Sequence, residues 1–96
     1  MRAVLYACLP GGSAADVTGA HLALRYHAAN AGHDAIVGEF HDTNTDPERP
    51  ALAKAMDAVH AHGAVLLVTD RSGILRVGNN PAALKDIVRS YAPFGL

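Results

Sequence analysis

The chain has 96 residues, half of them hydrophobic and 18% charged, with 9 glycines, 5 prolines, one cysteine and no tryptophan. That length holds a single domain, 1–96, and an apolar fraction this high is incompatible with intrinsic disorder. Eight Lys and Arg against nine Asp and Glu leave a net charge of −1 with the histidines neutral, which argues against the phosphate-neutralising surface that nonspecific nucleic-acid or membrane binding requires.

The lone Cys8 excludes an internal disulfide and any cysteine-rich zinc site. No apolar run approaches the roughly 20 residues of a bilayer span. The opening MRAVLYACLPGG is too short in its apolar stretch, and lacks the small-residue cleavage context, for a signal peptide. A cytoplasmic protein with no metal and no cofactor is expected.

Residues 3–9 form a short apolar run with β-branched and aromatic members, closed by Pro10-Gly11-Gly12: a buried strand ending in a loop. Ser13 can cap the helix that follows, with Asp16 in the place of the acidic partner of a capping box. Val17, Ala20, Leu24, Ala28 and Ala31 recur at helical spacing, and Gly32 is a natural stop. Residues 35–40 read as a second strand and Asp42-Thr43-Asn44-Thr45 as a polar connector.

Asp46-Pro47 carries a helix-opening signal, cap then proline at the first helical position. Leu52, Ala55, Met56 and Val59 give this second helix its buried stripe, and Gly63 ends it. Residues 64–69 are uniformly apolar up to the closing threonine, as in a central parallel strand covered on both faces. Residues 70–79 read as a loop with two glycines. Asn80-Pro81 repeats the cap signal before an amphipathic helix on Leu84, Ile87, Val88 and Tyr91, stopped by Pro93.

Alternating strands and helices predict an α/β fold with a parallel sheet and right-handed crossovers. Ligands of such sheets bind beyond the strands' C-terminal ends, which here means the loops at 9–13, 41–46 and 69–80.

Each candidate in those loops has a plainer alternative. Gly11, Gly12 and Ser13 lead into a helix N-terminus, the geometry of an anion-binding loop, yet the full glycine fingerprint and the P-loop lysine are missing, so a simple turn with a capping serine is the default. Asp70 and Arg71 follow the strongest strand, where adjacent opposite charges are otherwise a solvated surface pair. Arg49, poorly placed against the helix dipole, makes sense if it faces an acid such as Asp42 or Asp70. The six histidines show no zinc spacing: His21, His27 and His33 are six apart, and His60 and His62 diverge. Solvated surface histidines are expected. Cys8 is expected to pack as a small hydrophobe; a reactive thiolate there requires a nearby cation such as Arg71.

In order along the chain, MRAVLYA, LALRYHAANAG, IVGEFHD, DPERPAL, AVLLV and DRSG resemble the catalytic domain of serine recombinases, the resolvase/invertase family. The most specific pieces are Tyr6-Ala7, Asp42 closing the second strand, Glu48-Arg49-Pro50-Ala51-Leu52 and Asp70-Arg71-x-Gly73. The resemblance implies a resolvase-like three-layer α/β/α domain whose short parallel sheet has strand order 2-1-3. It implies family active-site positions at Arg49, Asp70 and Arg71.

It also exposes departures. Where the family carries Tyr-Ala-Arg-x-Ser, this chain has Tyr6-Ala7-Cys8-Leu9-Pro10, so the phosphate-holding arginine has become Cys8 and the nucleophilic serine Pro10. A second arginine has become Ile74, and a helix glutamine aligns with Ala20. The Ser-Gly loop expected before Glu48 is deleted. Phosphoryl transfer through a seryl intermediate requires the nucleophile and preorganised cations.

The expectation is a catalytically inactive domain, not an enzyme, without the family's DNA-binding domain and with the third strand as an open edge. Such an edge needs cover, so a homodimer or a partner protein is expected there or at the C-terminal helix. The alternative is a small-anion or nucleotide binder, or a residual enzyme, using Asp70, Arg71 and Arg49. DNA binding by the domain alone is not expected.

Overall fold

The computed structural model describes residues 2–9, 11–43, 50–69 and 74–77, the last four through their backbone. Its elements run β1 (Arg2–Cys8), α1 (Ala14–Asn30), β2 (Ala35–Asp42), α2 (Pro50–His62), β3 (Val65–Thr69) and β4 (Ile74–Val77). β1 lies between β2 and β3 and pairs with both in parallel, so the first three strands stand in the order 2-1-3 that the family resemblance implies.

The physical reason for a central β1 is its composition. Every residue from Ala3 to Cys8 is buried, which only a strand covered on both faces tolerates. Alternation divides its side chains between two cores. Ala3 and Leu5 pack with Val65, Leu67 and the α1 residues Leu24 and Ala28. Val4, Tyr6 and Cys8 pack with Leu66, Val68 and the α2 residues Ala55 and Val59. The sheet is therefore sandwiched between the two helices, the expected three-layer α/β/α arrangement.

The edge of the sheet differs from expectation. β4 pairs with β3 antiparallel, from Leu66 with Val77 to Thr69 with Ile74, giving a sheet of order β2-β1-β3-β4. Ile74 opens a strand within the segment read as a loop, and the third strand is not an open edge. The short run Ile74-Leu75-Arg76-Val77 is rich in strand-forming residues, but four residues are too few to announce themselves beside the glycines that flank them. Pairing with β3 supplies the backbone partners that make the strand worthwhile.

α1 begins as predicted. Ser13 Oγ accepts the Asp16 amide at 3.2 Å while Asp16 Oδ2 accepts the Ser13 amide at 3.0 Å, a complete capping box. Beyond Asn30 the chain turns through Gly32, whose φ of +83° is cheap only for glycine. Gly63, at φ +59°, does the same after α2. The predicted α1 stripe is only partly buried: Leu24 and Ala28 reach the core, Val17 and Ala20 are half-buried and Ala31 is exposed. On α2, Ala55 and Val59 are buried, with Leu52 and Met56 packed partly against the same core.

In β2 the register slips between Ala3 and Val4, leaving Val37 as the extra residue of a bulge. The slip puts Gly38 under the Phe40 ring, where an added Cβ would lie 2.7 Å from Cε2. The helix opening at Asp46-Pro47 and the last helix from Asn80 lie outside the described residues. No described helix is long and apolar enough to cross a membrane.

Candidate functional site

The C-terminal ends of β1, β2 and β3 converge on one edge of the sheet, and the residues there are tied to one another. Asp42, the last residue of β2, is only 4% exposed. Its Oδ2 accepts the buried Tyr6 hydroxyl at 2.7 Å. The first-turn amides of α2 complete the arrangement: Ala51 donates to Oδ1 and Leu52 to Oδ2, each at 3.2 Å. The carboxylate thus occupies the positive end of the α2 dipole and satisfies amides that have no partner within the helix. Two residues singled out by the family resemblance, Tyr6 and Asp42, meet here as structural partners.

The Asp42 carboxylate thus faces the helix amides and a tyrosine. Arg49, Asp70, Arg71 and Pro10 lie outside the described residues. Cys8 is buried in the α2-side core with Tyr6 and Val68.

In the candidate anion loop, Gly11 donates its amide to the Thr43 carbonyl and Gly12 to the Leu9 carbonyl, both at 2.7 Å. The amide of Ser13 serves Asp16, and its hydroxyl serves the cap. The Gly11, Gly12 and Ser13 amides are therefore committed within the protein rather than to an anion, and Asp16 adds a carboxylate at the helix start.

Beside that loop, a cleft of about 380 Å³ opens between α1 and the ends of β1 and β3. Asp16, Ala20 and Ala23 form its helical wall, and Leu9 and Thr69 its floor. Ala20, which stands at the family's glutamine position, contributes only a methyl group there.

A second polar cluster lies where α1 crosses β2. The Arg25 guanidinium grips the Glu39 carboxylate, its Nε reaching Oε1 at 3.0 Å and Oε2 at 3.1 Å and its Nη2 also contacting Oε1. His21 sits beside them with its side chain 14% exposed and its Nδ1 3.6 Å from Glu39 Oε2. Its ring meets that of His41 edge to face, the centroids 5.7 Å apart. Burial pushes the His21 imidazole below its ordinary pKa; Glu39 opposes that shift, while His41 and Arg25 reinforce it.

The expectation of solvated histidines thus fails at His21. It fails at His33 as well, whose two ring nitrogens are buried without hydrogen-bond partners. Helical spacing within α1 gives no hint of His21 meeting His41, because the pair spans two elements. No group of three or more His, Cys, Asp or Glu among the described residues is arranged to hold a metal ion.

The outer surface of α1 carries the most exposed large apolar side chains among the described residues. Leu22 is 58% and Tyr26 74% exposed, one helical turn apart and so on the same face. Neither was singled out by the sequence, where an exposed leucine and tyrosine look the same as buried ones. Comparison of the chain with protein-family models, with curated proteins and with solved structures gives no match.

Proposed function

We propose that this chain is a catalytically inactive, serine-recombinase-like domain that acts as a protein-interaction module through the outer face of α1. The observation that carries the interaction is the exposed Leu22–Tyr26 pair. Tyrosine is enriched at interface centres, and the pair does not contribute to either core cluster. The inactivity rests on chemistry: Pro10 stands where the resembled family has its nucleophile, and the Ser13 hydroxyl nearby is held as a helix cap. A cytoplasmic setting belongs to the same reading.

The expected association replaces the one through the third strand, whose edge β4 occupies. A second copy of the chain is the first partner to test. Sedimentation of the wild type over a wide concentration range should show self-association that Leu22→Glu/Tyr26→Glu abolishes with an unchanged far-UV circular dichroism spectrum. A monomer at every concentration, with no protein retained by the immobilised wild type beyond what the double variant retains, overturns the proposal.

The cleft supports a second reading, a small-anion or nucleotide binder, because Thr69 on its floor immediately precedes Asp70 and Arg71 in the chain. The committed loop amides weigh against it. Phosphate and nucleotides should leave the melting temperature of the wild type unchanged; a rise by mass action that Arg71→Ala removes would favour the binder.

A further inference from the structure

The side of α1 turned away from the sheet carries an ordered alternation of sizes. Opposite the buried anchors Leu24 and Ala28 runs a stripe of Ala15, Gly19, Leu22, Tyr26 and Ala29, every one of them exposed. The steps between them are four, three, four and three residues, the spacing that holds side chains in one line facing a second helix. No charged residue interrupts the stripe, so covering it leaves no charge stranded away from water. A Cβ added at Gly19 would meet nothing within 4 Å, which makes this position an open notch in the helix surface.

We propose that this stripe pairs with the same stripe of a second copy, antiparallel about a two-fold axis between Gly19 and Leu22, so that Leu22 enters the notch at the second copy's Gly19 and Tyr26 covers its Ala15.

The inference rests on the outer face of α1 being the interaction surface, and adds the partner and the register. Residue sizes select both. With Leu22 against Gly19, the helical spacing brings Tyr26 against Ala15, and each large side chain meets a small one, as space-filling packing requires. An antiparallel register that sets Leu22 against Tyr26 crowds the large side chains together and leaves Gly19 facing only Ala29. A parallel pair has the same defect, with Tyr26 on Tyr26 and Gly19 on Gly19.

A stripe matched to its own reverse identifies a second copy as the occupant, and an isologous contact of this kind closes at two chains. Ala15 and Gly19 also line the cleft at the strand ends, so the second copy's larger side chains sit at its edge. A contact through one helix lies at the small end of interface sizes, and the dimer therefore forms at high protein concentration.

Sedimentation equilibrium and disulfide trapping test the pairing. Gly19→Leu fills the notch at a helical position with free space, so it should keep the circular dichroism spectrum and melt no lower than the wild type. Its self-association should weaken roughly tenfold. Gly19→Leu/Leu22→Ala should recover association, because it returns one large and one small side chain to each contact. An equimolar mixture of Ala15→Cys and Tyr26→Cys in a glutathione redox buffer should give a covalent dimer that neither variant gives alone, with the wild type controlling for the buried Cys8.

Unweakened association in Gly19→Leu, or a covalent dimer from Tyr26→Cys alone, overturns the antiparallel register. If Leu22→Glu/Tyr26→Glu still abolishes association in that case, the interaction face itself stands. Absence of the mixed covalent dimer also overturns the register, and decides the matter even if Gly19→Leu fails to fold. A wild type that is monomeric at every concentration overturns the pairing outright; the interaction face then depends on the protein that the immobilised chain retains and the double variant does not.

Discussion

The two faces of the sheet are built to different standards. On the α2 face, apolar packing and polar satisfaction coincide: Ala55 and Val59 sit against Val4, Tyr6, Leu66 and Val68, and the helix start is sealed by a buried aspartate that also receives the tyrosine hydroxyl. On the α1 face, two residues of the helix reach the core. The rest of that contact is an ionic seam along β2, a cleft beside β3 and an outer surface that leaves Leu22 and Tyr26 in solvent. The difference teaches where a small domain keeps its stability and where it keeps adaptable surface. Local opening is drawn from elements with few buried apolar contacts, and α1 has the fewer.

The strongest way to break this comparison is Leu24→Ala. It removes the larger of the two buried α1 side chains and should lower the unfolding free energy by about 3 kcal/mol, read by urea denaturation, with α1 losing exchange protection before α2. Equal loss of protection in both helices would mean that the two faces fold as one unit.

Asp42→Ala probes the opposite face. It deletes the acceptor shared by Tyr6, Ala51 and Leu52 and should cost about 2–3 kcal/mol, combining a lost cap with lost buried hydrogen bonds. The exchange of the Ala51 and Leu52 amides should accelerate most. Asp42→Asn, which keeps one carbonyl oxygen, should cost less; a loss under about 0.5 kcal/mol for the alanine variant would show that the buried carboxylate is not what seats α2.

The smallest effect belongs to the start of α1. Ser13→Ala removes half of the capping box and should cost about 1 kcal/mol in the same denaturation experiment. It should leave any ligand response of the loop unchanged, because the Gly11 and Gly12 amides remain bonded to Thr43 and Leu9.

Much of this architecture was legible residue by residue. The unbroken apolar runs around Leu5 and Leu66 marked the central strands, Ser13 and Asp16 marked a helix start, and Gly32 and Gly63 marked the stops. The candidate site was far less legible. Asp42 was weighed as one possible partner of Arg49, and nothing near it in the sequence announced that the α2 amides would bind its oxygens. Ile74 was weighed as a missing arginine, a comparison of side chains that says nothing about backbone pairing. His21 looked like an ordinary surface histidine until α1 was laid across β2 and set its ring against His41.

Sequence alone determined which segments are strands or helices in the core and how they alternate, because period, capping residues and glycine stops act over a few neighbouring positions. Tertiary structure decided that β4 closes the edge of β3, that Tyr6 and Asp42 share a hydrogen bond across 36 positions, and that one carboxylate faces an arginine and a histidine. Those features depend on which elements lie side by side, and the free energy that selects them comes from desolvation and pairing between distant residues. No local window contains both partners, so the contact becomes visible only once the sheet has brought them together.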